Sequence, residues 1–288
     1  MEDIPIVIYH IGTQKYFLNS VRINSMKNFV YVIGDDNNNL FQNNSNVKHI
    51  NQSELFNQEI AEFKNVFVNY SSNSANFELG CFLRFFYLKE FIKKYNFNRI
   101  FHVDSDCIIF DNLKELFEKL PQIKIGYSIQ TLSQKKNPYH MVGCIHNALL
   151  NFDFLTKFID FCFDIYKRKT HFELIEPKIN YHKTHPGGIC DMTILYLFFS
   201  TNIMDKTLTN FNDIFIINDE ACTFDHNIND SYGFEGDQTY LMKNNKKILI
   251  NKNNSYYVET IKGKQIRLLS IHFQGGAKLL LEKFKIEK

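Results

Sequence analysis

Apolar residues in this chain fall into continuous runs separated by longer stretches with a helical period. "IPIVIYHIG" (4–12) is apolar without alternation, as in a strand buried on both faces of a parallel sheet. A helical period follows from about Gln14 to Ser25, then a second strand, "FVYVIGDD" (29–36). "VKHI" (47–50) and "VFVNY" (66–70) read as short strands flanking a helix near Ser53 to Phe63. "ANFELGCFLRFFYLKEFIKKYN" (75–96) is a long apolar helix that leads into the strand opening "FHVDSDCIIF" (101–110). Strands alternating with helices predict an α/β sheet with ligands at the carboxyl ends of its strands.

After Pro121 the pattern loosens. "IKIGYSIQ" (123–130) reads as a strand and "NFDFLTKFIDFCFDIYKR" (151–168) as a helix. "HKTHPGGICDMTILYLFF" (182–199) is a polar Pro-Gly loop running into an apolar helix. "YYVET" (256–260) and "IRLLSIHF" (266–273) read as strands around the turn "KGK". There is no internal repeat and no clean linker, which predicts one domain over residues 1–288 with two lobes, about 1–130 and about 131–288.

Three stretches offer chemistry. Asp104 and Asp106 lie one residue apart on a short turn at the sheet edge, between a buried strand and apolar "CIIF". Two such carboxylates repel unless something positive lies between them, although a solvated turn would carry the same residues. Arg84 is the one polar side chain from Cys81 to Leu88. Burying a lone guanidinium is costly, so Asp104 or a bound phosphate is its natural counter-ion, unless the side chain snorkels to the helix edge. In "IHFQGGAK" (271–278) a strand ends at His272, Gly275 and Gly276 allow a tight turn, and Lys278 enters a final helix. That arrangement suits an anion, and His272 offers a nitrogen ligand to a metal.

Together these stretches resemble GT-A glycosyltransferases, most nearly the glycogenin and lipopolysaccharide galactosyltransferase type, and are similar to capsule-type glycosyltransferases. That group has an Arg before its DxD strand, the DxD, an acidic residue opening a later helix, and a C-terminal His-x-x-Gly-x-x-Lys. The matching positions are Arg84, Asp104-Ser105-Asp106, Asp191, and His272, Gly275 and Lys278. The chain departs from the group in Leu279-Leu280 after the Lys and in Cys190-Asp191-Met192 at the helix start. The resemblance implies a GT-A fold, a mixed central sheet flanked by helices. It makes the first lobe nucleotide-binding and the second an acceptor lobe with a C-terminal metal- and diphosphate-binding segment.

The implied activity is transfer of a sugar from a nucleotide-sugar donor, a UDP-sugar, to a glycan, glycolipid or other acceptor, with a hexose moved and configuration retained. Asp104, Asp106 and His272 would hold the metal, and mixed carboxylate and imidazole ligation suits Mn²⁺ better than Mg²⁺. Lys278, Gly275 and Ser105 would meet the diphosphate, Asp191 would act at the donor sugar, and Arg84, also catalytic, would pair with the DSD turn or the donor phosphate. Tyr9, His10 and Gly12 end the first strand where such a fold places the nucleobase. Asp35 and Asp36 approach the ribose or form a plain turn; Ser72 and Asn76 bind the donor or cap a helix.

Other readings compete. An aspartyl-phosphatase also carries DxD after a strand, but with Thr or Val where Ile108 stands and with the motif on its first strand. A nucleotidyltransferase would show a Gly-rich, Arg-containing loop where "YHIGTQKY" has one Gly. His182, His185 and Cys190 offer zinc ligands without a fourth partner, so a flexible acceptor loop is the plainer reading. A non-catalytic carbohydrate-binding protein would not need Arg84, the DSD and His272 together.

A net charge of +2 gives no reason to expect nucleic acid as the partner. The six cysteines form no CxxC pair, the acidic start "MEDIPIVIYH" is a poor signal peptide, and no apolar run approaches ~18 residues. These features predict a cytoplasmic protein, whose basic tail "LLLEKFKIEK" either touches a membrane surface or forms a solvated final helix. Asn-rich "DDNNN", "QNNSN" and "NKNNS" read as solvated loops.

Overall fold

The continuous apolar runs become strands. They are β1 (Ile6–Tyr9), β2 (Val30–Gly34), β3 (Val47–Asn51), β4 (Arg99–Val103), β5 (Cys107–Ile109), β6 (Ile125–Ile129), β7 (Gly143–Asn151) and β8 (Leu208–Asn210). All but β5 belong to one seven-stranded sheet in the order β3-β2-β1-β4-β7-β6-β8. β7 runs antiparallel to its neighbours β4 and β6, and the other neighbours are parallel. This computed structural model describes residues 3–41, 44–130, 137–201, 208–230, 239–253 and 255–286. Gln42, Asn43, Asn254, Glu287 and Lys288, from the polar loops and basic tail noted above, lie outside the described residues.

A second sheet holds β9 (Phe215–Ile217), β10 (Glu220–Phe224), β13 (Ile250–Lys252), β14 (Ser255–Glu259) and β15 (Gln265–His272), with β5 paired to β15. A small ribbon, β11 (Met242–Lys243) with β12 (Lys246–Lys247), stands beside it. The helices are α1 (Lys15–Asn24), α2 (Gln58–Val66), α3 (Ala75–Tyr95), α4 (Leu113–Lys119), α5 (Phe152–Phe163), α6 (Glu176–His182), α7 (Asp191–Ser200) and α8 (Lys278–Leu281).

α3, α5 and α7 cover one face of the large sheet through Phe82, Phe85, Phe158 and Leu195; α1, α4 and residues of the second sheet cover the other. Removing each such side chain from water contributes roughly 1.5–3 kcal/mol. The apolar circumference of α3 follows from its burial, and Asn96, in the left-handed region at φ 56°, ends it. No described helix is long and apolar enough to cross a membrane. All six cysteines are free thiols.

Three expectations are corrected. "VFVNY" is not a strand: Val66 ends α2, and the extended stretch beyond makes one bridge, Ser71 to Gly188. The helix near Ser53 to Phe63 is two pieces, a 3-10 turn Gln52–Leu55 and α2, because Asn57 caps a new start by accepting from the Ile60 N–H. The DSD turn is not at a sheet edge. β4 lies between β1 and β7, so the turn ends a central strand and carries the chain to β5 in the other sheet.

Candidate active site

Asp104 and Asp106 stand where the chain crosses between sheets. The Asp104 N–H donates to the His146 carbonyl on β7 (2.8 Å), and the Cys107 N–H closes the turn on the Asp104 carbonyl (3.0 Å). On the other side the Phe273 N–H donates to the Asp106 carbonyl (2.8 Å), and the β5–β15 register sets Cys107 opposite His272. Those tethers bring Asp104, Asp106 and His272 together, with one ligand atom of each within 4.8 Å of the others. Among the described residues this is the one group of three such side chains. The Lys278 Nζ is 3.2 Å from Asp106 Oδ2.

The donor set fits a divalent cation. His272 Nδ1 lies 2.6 Å from the His226 carbonyl, which can only accept, so Nδ1 carries the hydrogen there. Nε2 then faces Asp106 Oδ1 at 3.4 Å, the nitrogen available to a cation. Burial alone would raise the Asp106 carboxyl pKa and lower that of His272. Instead each stabilises the other's charge, so the imidazole titrates above 6.5 and Asp106, aided by Lys278, below its ordinary range.

Arg84 sits in the middle of α3. Its Nη1 donates to Asp104 Oδ1 (2.6 Å) and its Nη2 to Asp191 Oδ2 (2.5 Å). Asp191 opens α7, so one guanidinium joins the DSD turn to that helix start. His102 Nε2 also approaches Asp104 Oδ1, at 3.2 Å. Burial opposes ionisation of Asp104, but Arg84 and then His102 hold it well below the carboxylate range.

Behind His272 stands a group that the sequence reading missed. Asp225, just past β10, accepts from the His272 backbone N–H (3.0 Å) and from Lys247 Nζ (2.6 Å). Its carbonyl lies 3.1 Å from His146 Nε2, and the His146 ring stacks on His272 at 4.4 Å. The available signal was the one that singled out Arg84. His146 interrupts apolar "GCIHNALL", and Asp225-His226 follow a strand in "ACTFDHNI".

Arg84, Asp104, Asp106, Asp191, His272 and Lys278 all line one cavity of about 670 Å³. Tyr9, His10, Gly12, Asp35, Ser72, Asn76, Ser105 and Gly275 are not among its lining residues. Tyr9 stacks on Tyr87 (5.4 Å) and donates to Gln52, while His10 stacks on Phe17 (4.1 Å). The Gly12 carbonyl accepts from Asn38, Asp35 caps the 3-10 turn Asp36–Asn38, and Asp36 accepts from Asn51. Asn76 is exposed on the first turn of α3, Ser105 is the middle of the DSD turn, and Gly275 adopts φ 59° before α8.

Ser72 is tied to the Pro-Gly loop. Its N–H donates to the Gly187 carbonyl (3.0 Å), and the Ile189 N–H donates to Tyr70 (3.0 Å), so backbone bonds anchor that loop. A Cβ on Gly188 would meet the Tyr70 carbonyl oxygen at 2.2 Å, which explains the glycine. His182 Nδ1 faces the His185 carbonyl, and His182, His185 and Cys190 do not converge as metal ligands.

No protein-family model matches the chain. No curated protein matches it either. Its fold is similar to those of solved glycosyltransferases. Mouse xyloside xylosyltransferase 1, in its apo form, aligns over 73% of this chain and 85% of its own, at 12% identity and a TM-score of 0.49. The galactosyltransferase LgtC, in complex with donor and acceptor sugar analogues, aligns over 57% of this chain and 66% of its own, at 16% identity and a TM-score of 0.39. The bifunctional glycosyltransferase WbbM aligns over 78% of this chain and 40% of its own, at 11% identity and a TM-score of 0.39.

Proposed function

We propose that the protein is a metal-dependent glycosyltransferase of the GT-A type. It moves a sugar, a hexose on the motif resemblance, from a nucleotide-sugar donor, first among them a UDP-sugar, to a glycan, glycolipid or other hydroxyl acceptor. The observation that carries this reading is the convergence of Asp104, Asp106 and His272 beside Lys278, in the same cavity as the Arg84-bound Asp191. Two carboxylates and one imidazole match Mn²⁺, which accepts mixed oxygen and nitrogen ligands, better than Mg²⁺. A cation bound there supplies Lewis-acid neutralisation of the departing nucleoside diphosphate.

The chain's own groups do the rest. Lys278 adds a second positive charge for the phosphates, at a position fixed by its contact with Asp106. Arg84 keeps Asp104 ionised and holds one Asp191 oxygen, fixing the carboxylate. We assign Asp191 to the face of the donor sugar, where its negative charge stabilises an oxocarbenium-like centre. Retention of configuration is the expected outcome, on the motif resemblance.

The test is nucleotide release from a panel of UDP-, GDP- and CMP-sugars with Mn²⁺ or with chelator. Manganese-dependent release from one donor class is the expected result, and His272→Ala should weaken it in a way that excess Mn²⁺ partly restores, as mass action requires for a lost ligand. Binding without turnover would favour the non-catalytic reading. No interaction with any of these donors refutes the proposal.

A further inference from the structure

The same cavity contains groups that the donor chemistry leaves unused. Glu78, on the first turn of α3, lines it and is 1% exposed. One carboxylate oxygen accepts from Asn73 Nδ2 (2.7 Å), while Oε2 is buried with no hydrogen-bond partner among the described residues. A helix start stabilises a nearby negative charge, but it gives Oε2 no donor, and a buried acceptor left unsatisfied costs about 1–3 kcal/mol. Other groups lining the cavity are also polar. Lys178 is buried and donates to Thr193 Oγ1 (2.8 Å) on the first turn of α7. Cys190, next to Asp191, lies in the fields of Asp191, Lys178 and Glu78 together. Lys178 thus reaches the first turn of α7, which Asp191 opens, and Glu78 lines the same cavity.

Aromatic rings line the cavity as well. Tyr181 of α6 stacks on Tyr139 at 4.7 Å and on His185 at 4.1 Å. The stack ties the segment before β7 to the loop before α7, and all three residues are cavity-lining.

We propose that Glu78 and this aromatic stack form the acceptor subsite, and that the acceptor they take is a neutral carbohydrate. A sugar hydroxyl donates to Glu78 Oε2, and a ring face packs against the stack. An anionic acceptor would face the Glu78 carboxylate, and a cationic one would face Lys178 and Arg84. An aliphatic chain would leave Glu78 Oε2 buried without a donor. Sugar hydroxyls both donate and accept, so they satisfy a site that presents a carboxylate and an ammonium, while the C–H face matches the rings. A volume of about 670 Å³ falls within the range of small-molecule sites and exceeds what the metal end alone needs.

This inference rests on the glycosyltransferase reading, and two assays on the full chain separate them. The first measures nucleotide release to water with Mn²⁺. The second measures transfer to the methyl β-glycosides of galactose, glucose and mannose. The expected result is transfer to at least one glycoside, with Glu78→Gln and Tyr181→Ala each raising its KM tenfold or more. Release to water persists in both variants and reports an intact fold; the half-buried Tyr181 site supplies the answer should Glu78→Gln not fold. Wild-type protein that releases nucleotide to water but glycosylates none of the three overturns the subsite while leaving the glycosyltransferase reading intact. So does an unchanged KM in both variants. Absence of nucleotide release from wild type overturns the glycosyltransferase reading and this one with it.

Discussion

Lys247→Met tests the support behind His272. Lys247 Nζ is 2.6 Å from Asp225 Oδ1, and both side chains are 1% exposed. Removing one partner of a buried ion pair strands the other charge, at a cost of about 3–5 kcal/mol. Met roughly keeps the volume, so little cavity is added, although the cation over the Tyr240 ring (4.7 Å) is also lost. For a chain of this size each kcal/mol shifts Tm by about 2–4 °C, which puts the expected fall at roughly 6–20 °C. A second effect follows from Asp225 Oδ2, which holds the His272 N–H at 3.0 Å. Without the Lys247 ammonium to anchor it, the Asp225 carboxylate loosens that hold, and losses of such supporting contacts typically weaken metal binding 10–100-fold. Adding Asp225→Asn should recover part of the stability, because no charge is then left behind. Thermal melts and Mn²⁺ titration calorimetry read both effects. A Lys247→Met protein that melts within about 2 °C of wild type and binds Mn²⁺ equally well would refute the reasoning.

Arg84→Met should abolish nucleotide release and also destabilise the fold, since it strands Asp104 and Asp191; a stable, active variant in melts and release assays removes Arg84 from the site. Asp191→Asn should keep nucleotide binding by calorimetry while lowering transfer roughly 10²-fold or more, the scale seen when a charge-stabilising group is lost; equal loss of both points to a packing role. Burial holds His102, His146 and His226 below their ordinary 6.5, His146 down to about 3. The unfolded chain therefore binds more protons below 6.5, and stability should fall with pH there by up to about 1.4 kcal/mol per unit for each imidazole. His272 acts oppositely: its contribution is present below 6.5 and lost as pH rises through its raised value. Urea melts that are flat from pH 7 to 5 would contradict the three buried imidazoles.

The legible parts of the fold were those in which one segment decides its own environment. β1, β2, β4 and the long α3 follow from runs that bury on all sides, and the β14–β15 hairpin from its Gly turn. "VFVNY" failed because its apolar residues pack without a partner strand, and that depends on where the Pro-Gly loop lies. The cluster of Asp104, Asp106 and His272 was legible through residue types that need company: paired carboxylates, a guanidinium among phenylalanines, a His at a strand end. The Arg84–Asp191 contact spans 107 positions, and nothing in either segment encodes it. Lys247 and Glu78 were missed for a related reason. Each looks like an ordinary polar residue until tertiary contacts bury it.

The place of the DSD turn explains how carboxylates one residue apart can belong to different supports. Asp104 is held from the large sheet, by the His146 carbonyl, by His102 of β4 and by Arg84 from α3. Asp106 is held from the second sheet, by the Phe273 N–H, His272 and Lys278. Neither sheet alone presents three ligands, so the site exists only where β4 hands the chain to β5. Each ligand is oriented by a partner that does not depend on a cation, which limits the reorganisation that binding must overcome. The same logic extends to Asp191. Its distance from Asp104 is set by one planar guanidinium with two arms, and the packing of α3 fixes where that guanidinium stands. A lysine could neutralise one carboxylate but could not hold two in a fixed relation. An arginine inside an apolar helix is therefore the means by which the metal end of the cavity and the start of α7 keep a constant separation.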